Sequence, residues 1–256
     1  MKVLAIGNSF SDDSTEYLYP VLKALGAEDI FLGNLHIPGC SIQRHVDNIH
    51  NDTPVYDYRT NQQDQWETTV NYKLKDALSS QNWEVISMQQ ASHDSGMKES
   101  YEPLSELITF VRNNAKKGVQ LAWNMTWAYP QYTEHEGFAR YNHDQKTMYH
   151  AILDAVKTCV LSKDAFVLLF PVGTAIQNAR TSYLGDTLTR DGFHLSIPFG
   201  RYIAALTWGR VLTGKSIKDI AYAPMGVDER LKAIALESVE NAIKNPFEIT
   251  QSIFTK

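Results

Sequence analysis

The sequence predicts an α/β protein with a five-stranded parallel sheet and helices on both faces, and three observations carry that expectation. Short apolar runs recur at 2–7, 30–37, 84–88, 119–127 and 165–172. Longer stretches with helical spacing, at 15–25, 70–79, 101–115, 138–162, 198–212 and 228–244, separate or follow them. Such alternation favours parallel strands joined by right-handed crossovers. A chain of 256 residues with 43% hydrophobic content is long enough for one sizeable core. One domain is therefore expected, with its core over 2–214 and a helical appendage over 215–256.

The elements follow in order. Lys2-Val3-Leu4-Ala5-Ile6 fits a buried parallel strand that ends at Gly7. Ser9, Ser11, Asp12, Asp13 and Ser14 are all able to cap the helix that the apolar spacing of Tyr17 to Leu25 indicates, with Gly26 as its stop. Ile30 to Ile37 reads as the second strand and runs into Pro38-Gly39. Residues 40–65, rich in Asn, Asp and Gln, are the least regular. They read as an excursion over the rim of a site, with a hairpin through Val55-Tyr56-Asp57-Tyr58 and Trp66-Glu67-Thr68. The third strand closes at Met88 and leads into Gln89-Gln90-Ala91-Ser92-His93. Gly118 and Gly214 mark further helix stops, and Ala221 to Met225 reads as a loop before the last helix.

Charge and composition exclude several functions. The net charge is −5 with acid and base interspersed, so nothing marks a nucleic-acid groove or a polybasic membrane surface. No stretch approaches a membrane span, and the first apolar run leads into Gly7-Asn8-Ser9 without a signal-peptide cleavage site. The chain as it stands reads as cytoplasmic. Cys40 and Cys159 make no disulfide framework, and Cys40 reads as a small buried filler. His45, Asp47 and His50 lie close together but match no zinc signature, so no metal and no cofactor are expected.

Two segments carry chemistry. Ser9 stands just beyond the first strand's C-terminal end, where open α/β sheets bind ligands. Taken alone, Asn8-Ser9 is an ordinary strand-to-helix turn. Asp191-Gly192-Phe193-His194 places an acid and an imidazole three apart, so that Asp191 can accept from Nδ1 and leave Nε2 facing a substrate. Taken alone, that pair is a loop with a solvated acid and a core histidine. Together they supply hydroxyl, base and orienting carboxylate, the parts that ester hydrolysis through an acyl-enzyme requires.

Ile6-Gly-Asn-Ser-Phe-Ser11, Pro38-Gly-Cys-Ser-Ile42 and Arg190-Asp-Gly-Phe-His-Leu-Ser196 resemble the SGNH, or GDSL-type, hydrolase superfamily. The resemblance spans roughly residues 2–214 and implies a three-layer, flavodoxin-like fold. It implies Ser9 as nucleophile, His194 as base and Asp191 as its orienting acid. It also implies an oxyanion hole from the N–H groups of Ser9 and Gly39 and a third, side-chain donor. The usual Asn of a Gly-x-Asn-Asp motif is missing here. Met88-Gln89-Gln90-Ala91 resembles instead the His-Gln-Gly-Glu of carbohydrate esterases, which assigns the third donor to Gln89, with Gln90 second.

Asn8, Gln90, Arg44 and His45 are further candidates for substrate contact, and Trp127 and Tyr129 for an aromatic wall. His93-Asp94 is a rival acid–base pair, ranked second because adjacent residues orient one another poorly. The expected function is a serine esterase that removes a small acyl group, such as acetyl, from a carbohydrate or glycan. A lipid or thioester acyl hydrolase and a non-catalytic carbohydrate-binding module stay open. A nucleotide binder is disfavoured, since no Gly-rich phosphate loop follows the first strand. A short polar cleft would favour acetyl and a deep apolar channel a long acyl chain.

Overall fold

A computed structural model describes residues 1–256. The strands are β1 (Lys2–Gly7), β2 (Phe31–His36), β3 (Tyr56–Asn61), β4 (Trp66–Tyr72), β5 (Val85–Met88), β6 (Gln120–Asn124) and β7 (Phe166–Phe170). They form one sheet in the order β4-β3-β2-β1-β5-β6-β7. The five apolar runs are its parallel strands. The sheet is nevertheless mixed and seven-stranded, because β3 and β4 extend it antiparallel beyond β2.

That extension corrects the expected five-stranded sheet and the expected rim excursion. The hairpin forms where its sequence indicates, but it pairs along β2 and so satisfies backbone groups that a bare edge would leave unpaired. Its period-2 pattern explains the choice: Tyr56 and Tyr58 point inward at 1% and 6% exposure, while Asp57 and Arg59 alternate with them. The new edge, β4, is mostly exposed and carries Glu67, Thr68, Thr69 and Asn71.

The helices are α1 (Ser9–Thr15), α2 (Leu18–Ala24), α3 (Ile42–His50), α4 (Leu74–Ser80), α5 (Leu104–Asn114), α6 (Gln145–Ala155), α7 (Val172–Ala179), α8 (Phe199–Thr213) and α9 (Glu229–Lys244). Several depart from expectation for local reasons. The helix expected at 15–25 begins at Ser9, capped by Asn8, and breaks in two. Within the Asn-rich stretch, Ser41 caps α3 by accepting from the Arg44 N–H at 3.2 Å, and Ile42, Val46 and Ile49 form its apolar stripe. The expected helix at 70–79 is strand to Tyr72 and helix from Leu74. The long helix expected at 138–162 is a 3₁₀ segment at Glu136–Tyr141, then α6 capped by Asp144, ending in a π turn at Val156–Val160. Asp228 caps α9 and Gly214 closes α8 in the left-handed conformation, as their positions indicate.

α8 packs against α1, α2, α7 and α9, and α5 packs against α3 and α4. Gly209 lets α8 approach α2 closely, since a Cβ there would lie 2.6 Å from Val21 Cγ1. β1 lies mid-sheet with Val3 to Gly7 all buried. Its register, Gly7 opposite His36 and Ile6 opposite Met88, brings the C-terminal ends of β1, β2 and β5 to one end of the sheet. The turns bearing Ser9, Gly39 and Gln89 leave from those ends. No helix is long and apolar enough to cross a membrane.

Candidate active site

Ser9 opens α1 on a turn held from below. Asn8 Oδ1 accepts the Phe10 N–H at 3.0 Å, and its carbonyl accepts from Ser11 and Asp12 at 2.9 and 3.2 Å. These bonds occupy the N–H groups that follow Ser9 and leave the Ser9 N–H itself outside them. The Asn8 Nδ2 donates to the Cys40 carbonyl at 3.0 Å, tying the Ser9 turn to the Gly39 turn. Gly7 permits this closeness, for a Cβ there would meet Ser11 Oγ at 2.8 Å and Gln89 Cδ at 2.9 Å.

The acid–imidazole pair forms as its spacing predicts. His194 Nδ1 and Asp191 Oδ2 are 2.6 Å apart, and Asp191 Oδ1 accepts the backbone N–H groups of His194 and Phe193 at 2.8 and 3.2 Å. Burial pushes the Asp191 carboxyl up, but the hydrogen bonds from the His194 ring and from both amides outweigh it and hold the group below its ordinary range. Gly192, at φ +88°, supplies the left-handed turn between them. The loop closes on itself through Arg190 N–H to the His194 carbonyl at 2.9 Å.

Trp127 pins this loop by donating from Nε1 to the Phe193 carbonyl at 2.7 Å, and its indole stacks at 3.9 Å on Phe10, the neighbour of Ser9. The Phe10 ring lies 6.1 Å from the His194 imidazole, so the loop sits against the Ser9 turn. Ser9 and His194 share no direct hydrogen bond; such bonds commonly tighten only when substrate is present.

Gly39 turns the chain after β2 at φ +60°, with open space where a Cβ would stand. The turn's own bond runs from Cys40 N–H to the Ile37 carbonyl at 3.1 Å and leaves the Gly39 N–H outside it. Beside Gly39 lies a cleft of about 490 Å³ lined by His93, His135, Glu136, Gly137 and Arg140, with no apolar side chain in its wall. His135 Nδ1 accepts the Gly137 N–H at 3.0 Å, so the neutral ring carries its proton on Nε2. Burial, together with the neighbouring His93 and His194, lowers the His135 pKa and favours that neutral form. Its ring stands edge-on to Phe193 at 5.1 Å, which joins the cleft to the His194 loop. A groove of about 510 Å³ between α2, Gln63-Asp64 and Ala221-Tyr222 shares no residue with this cleft.

Several residues expected to face substrate lie in buried hydrogen-bond networks. Gln89 is 1% exposed; its Nε2 donates to Asn8 Oδ1 at 2.9 Å and its Oε1 accepts from Asn124 Nδ2 at 2.8 Å. Asn124 Oδ1 in turn accepts from Trp208 Nε1 at 3.1 Å, so each end of the Gln89 amide makes a hydrogen bond beneath the Ser9 turn. Gln90 Oε1 accepts from the Ile42 and Ala91 amides at 3.0 and 2.8 Å, and its Nε2 donates to Ser100. Asn8 is buried in the same network.

His45 is not on the rim. It is fully buried with Nδ1 2.9 Å from Tyr56 Oη, and burial with the nearby Arg44 charge lowers its pKa to about 3. Trp127 and Tyr129 are also fully buried, Tyr129 with its hydroxyl 2.7 Å from Ser92 Oγ, so neither forms a wall facing solvent. Arg44 is exposed and reaches the Pro38 carbonyl at 3.4 Å beside the Gly39 turn. Burial pushes the Cys40 thiol up to about 12. His93 Nε2 lies 3.4 Å from Asp94 Oδ2, but Asp94 also pairs with Arg140. No group of three or more His, Cys, Asp or Glu side chains is placed to hold a metal ion.

Sequence reasoning missed Asn124, His135 and Arg140. None sits in a motif: Asn124 ends β6, and His135 lies in the loop between β6 and the 3₁₀ segment at Glu136–Tyr141. A polar residue closing a buried strand was the one signal available, and only for Asn124.

No match is found among curated proteins. The fold is similar to that of the acetylxylan esterase Axe2 from Geobacillus stearothermophilus, at 14% identity and a TM-score of 0.51, over 87% of this chain and 94% of that one. It is similar to TesA at 12% identity and a TM-score of 0.50, over 86% and 99% of the two chains. A DUF4886 family protein from Bacteroides uniformis ATCC 8492 matches far more closely than these, at 41% identity and a TM-score of 0.96, over 100% of this chain and 99% of that one. The family model described as "Domain of unknown function (DUF4886)" matches residues 2–242, and the chain belongs to that family.

Proposed function

We propose that this chain is a serine esterase of the SGNH type that removes a small acyl group from a polar alcohol, most simply an acetyl group from a carbohydrate. The observation that carries the reading is the 2.6 Å contact between His194 and Asp191 on a loop packed against the Ser9 turn. In this mechanism Asp191 holds the Nδ1 proton, and His194 Nε2 takes the Ser9 hydroxyl proton as Oγ attacks the ester carbonyl carbon. The oxyanion accepts from the Ser9 and Gly39 N–H groups, which their own turns leave unused. The carbonyl reforms as the ester C–O bond breaks, and imidazolium gives its proton to the departing alkoxide oxygen. Water then repeats the sequence, and the acid and free Ser9 are released.

The polar cleft beside Gly39 supports a hydroxyl-rich alcohol over a long acyl chain, and the fold likeness to an acetylxylan esterase is consistent with that choice. The reading is tested by measuring kcat/KM on acetylated mono- and oligosaccharides and on p-nitrophenyl acetate and octanoate. A preference of about tenfold or more for acetyl esters is expected. A preference for octanoate would favour a lipid or thioester acyl hydrolase. Sugar binding without turnover would favour a binding module.

A further inference from the structure

We infer that Asp13 is a positioning residue that sets the alignment of Ser9 with the His194–Asp191 pair; the inference rests on the esterase reading for its consequence but not for its geometry. Asp13 lies one helical turn beyond Ser9 on α1 and is 0% exposed. Its Oδ1 accepts from Arg201 Nε at 2.8 Å and Arg190 Nη1 at 3.0 Å. Its Oδ2 accepts the Leu195 N–H at 2.7 Å. Arg190 immediately precedes Asp191, and Leu195 immediately follows His194. One buried carboxylate on the Ser9 helix therefore holds both ends of the loop that carries the acid and the base.

Arg190 completes the clasp by also donating from Nη1 to the Leu195 carbonyl. Arg201 comes from α8 and lies 3.7 Å from Glu16 as well, which adds a third element to the joint. Burying an ion pair in this way is not itself evidence of stabilisation, because desolvation offsets much of the attraction. What it supplies is a fixed position, since neither loop end can slide along α1 without stranding a buried charge. Trp127 fixes the middle of the loop from another side, at the Phe193 carbonyl. Alignment matters most here because an error of about 1 Å between reacting groups costs on the order of 100-fold in rate.

The test uses the full chain and two variants. Asp13→Asn keeps the shape and removes the charge. Arg190→Gln removes the Arg190 bonds to Asp13 and to the Leu195 carbonyl from a side chain that is 32% exposed and leaves the bonds of Arg201 and the Leu195 N–H to Asp13 in place, so it keeps the test alive if the first variant does not fold. In folded variants, kcat on an acetyl ester and the rate of fluorophosphonate labelling are expected to fall about 10- to 100-fold with KM changed less than about threefold. Arg190→Lys should restore part of the loss. Folded variants that label and turn over within twofold of the wild type would overturn the inference. If the wild type neither labels nor turns over, the esterase reading fails separately, and the clasp is read from the ¹H–¹⁵N signals of the His194 ring. Shifted or broadened signals in Arg190→Gln would support it, and an unchanged spectrum would overturn it.

Discussion

Beneath Ser9, the side chains of Asn8, Gln89 and Asn124 are at most 2% exposed and hydrogen-bonded to one another, with Trp208 at the end of the chain. Across the cleft, Glu136 and Arg140 are exposed and His93 and His135 half-buried. The first region spends polar groups on fixing a turn, while the second presents them to whatever enters. Substitutions on the two sides should therefore fail differently: on the buried side in folding, and on the cleft side in recognition.

The sharpest contrast comes from the groups proposed to react, which belong to neither side. Ser9→Ala and His194→Ala should each lower ester hydrolysis by about 10³-fold or more, with little change in thermal stability. Asp191→Asn should cost less than Ser9→Ala, because the loop also orients the imidazole through its backbone. Steady-state kinetics with melting curves on the same samples checks both.

Gln89→Leu tests the buried side. It removes one of two partners from Asn8 Oδ1, which keeps the Phe10 N–H, and one from Asn124 Nδ2, which keeps Ser14 Oγ, at about 1 kcal/mol for each bond lost, which denaturant unfolding should register. Were Gln89 the third oxyanion donor, the loss would appear instead in kcat, at about 10²- to 10³-fold, with stability little changed. The two outcomes separate brace from donor.

A second buried polar group, His45 on α3, should make the fold acid-sensitive. Its pKa is about 3 in the folded chain, against about 6.5 when unfolded, so between these values the unfolded state binds the proton and the folded state does not. Stability from this residue is complete above pH 6.5 and falls as pH drops below it, by about 1.4 kcal/mol per pH unit within that window. Unfolding at pH 7.5, 6.5 and 5.5 should show the slope, and His45→Gln should remove it.

The smallest effect belongs to the cleft. His135→Ala should raise KM for an acetylated sugar by about three- to tenfold, with a smaller fall in kcat, as expected for loss of one hydrogen bond worth about 1 kcal/mol. A kcat loss as large as that of His194→Ala would move His135 into the reacting machinery and erase the contrast between the two sides.

The parts that could be read from the sequence were those governed by local pattern. The five parallel strands are short, mostly apolar runs, and the His194–Asp191 contact follows from a three-residue spacing closed by Gly192. What could not be read depends on partners distant in the chain. That Gln89 is tied to Asn8 and Asn124 at both ends of its amide could not be read, because those partners lie 81 and 35 residues away. Trp127 resembles a sugar platform until Phe10 covers its face. The 56–72 hairpin was legible as a hairpin, but its docking on β2 was not, because the free edge it covers is a property of the sheet. Asp13 carries no local sign at all; its three partners lie 177 to 188 residues away.

The central claim is an activated serine at position 9, and covalent labelling by a fluorophosphonate, read by intact mass, tests it most directly. One adduct per chain in the wild type, and none in Ser9→Ala or His194→Ala, is the predicted result. A folded wild type that takes up no adduct, or one that labels equally after either substitution, would contradict it.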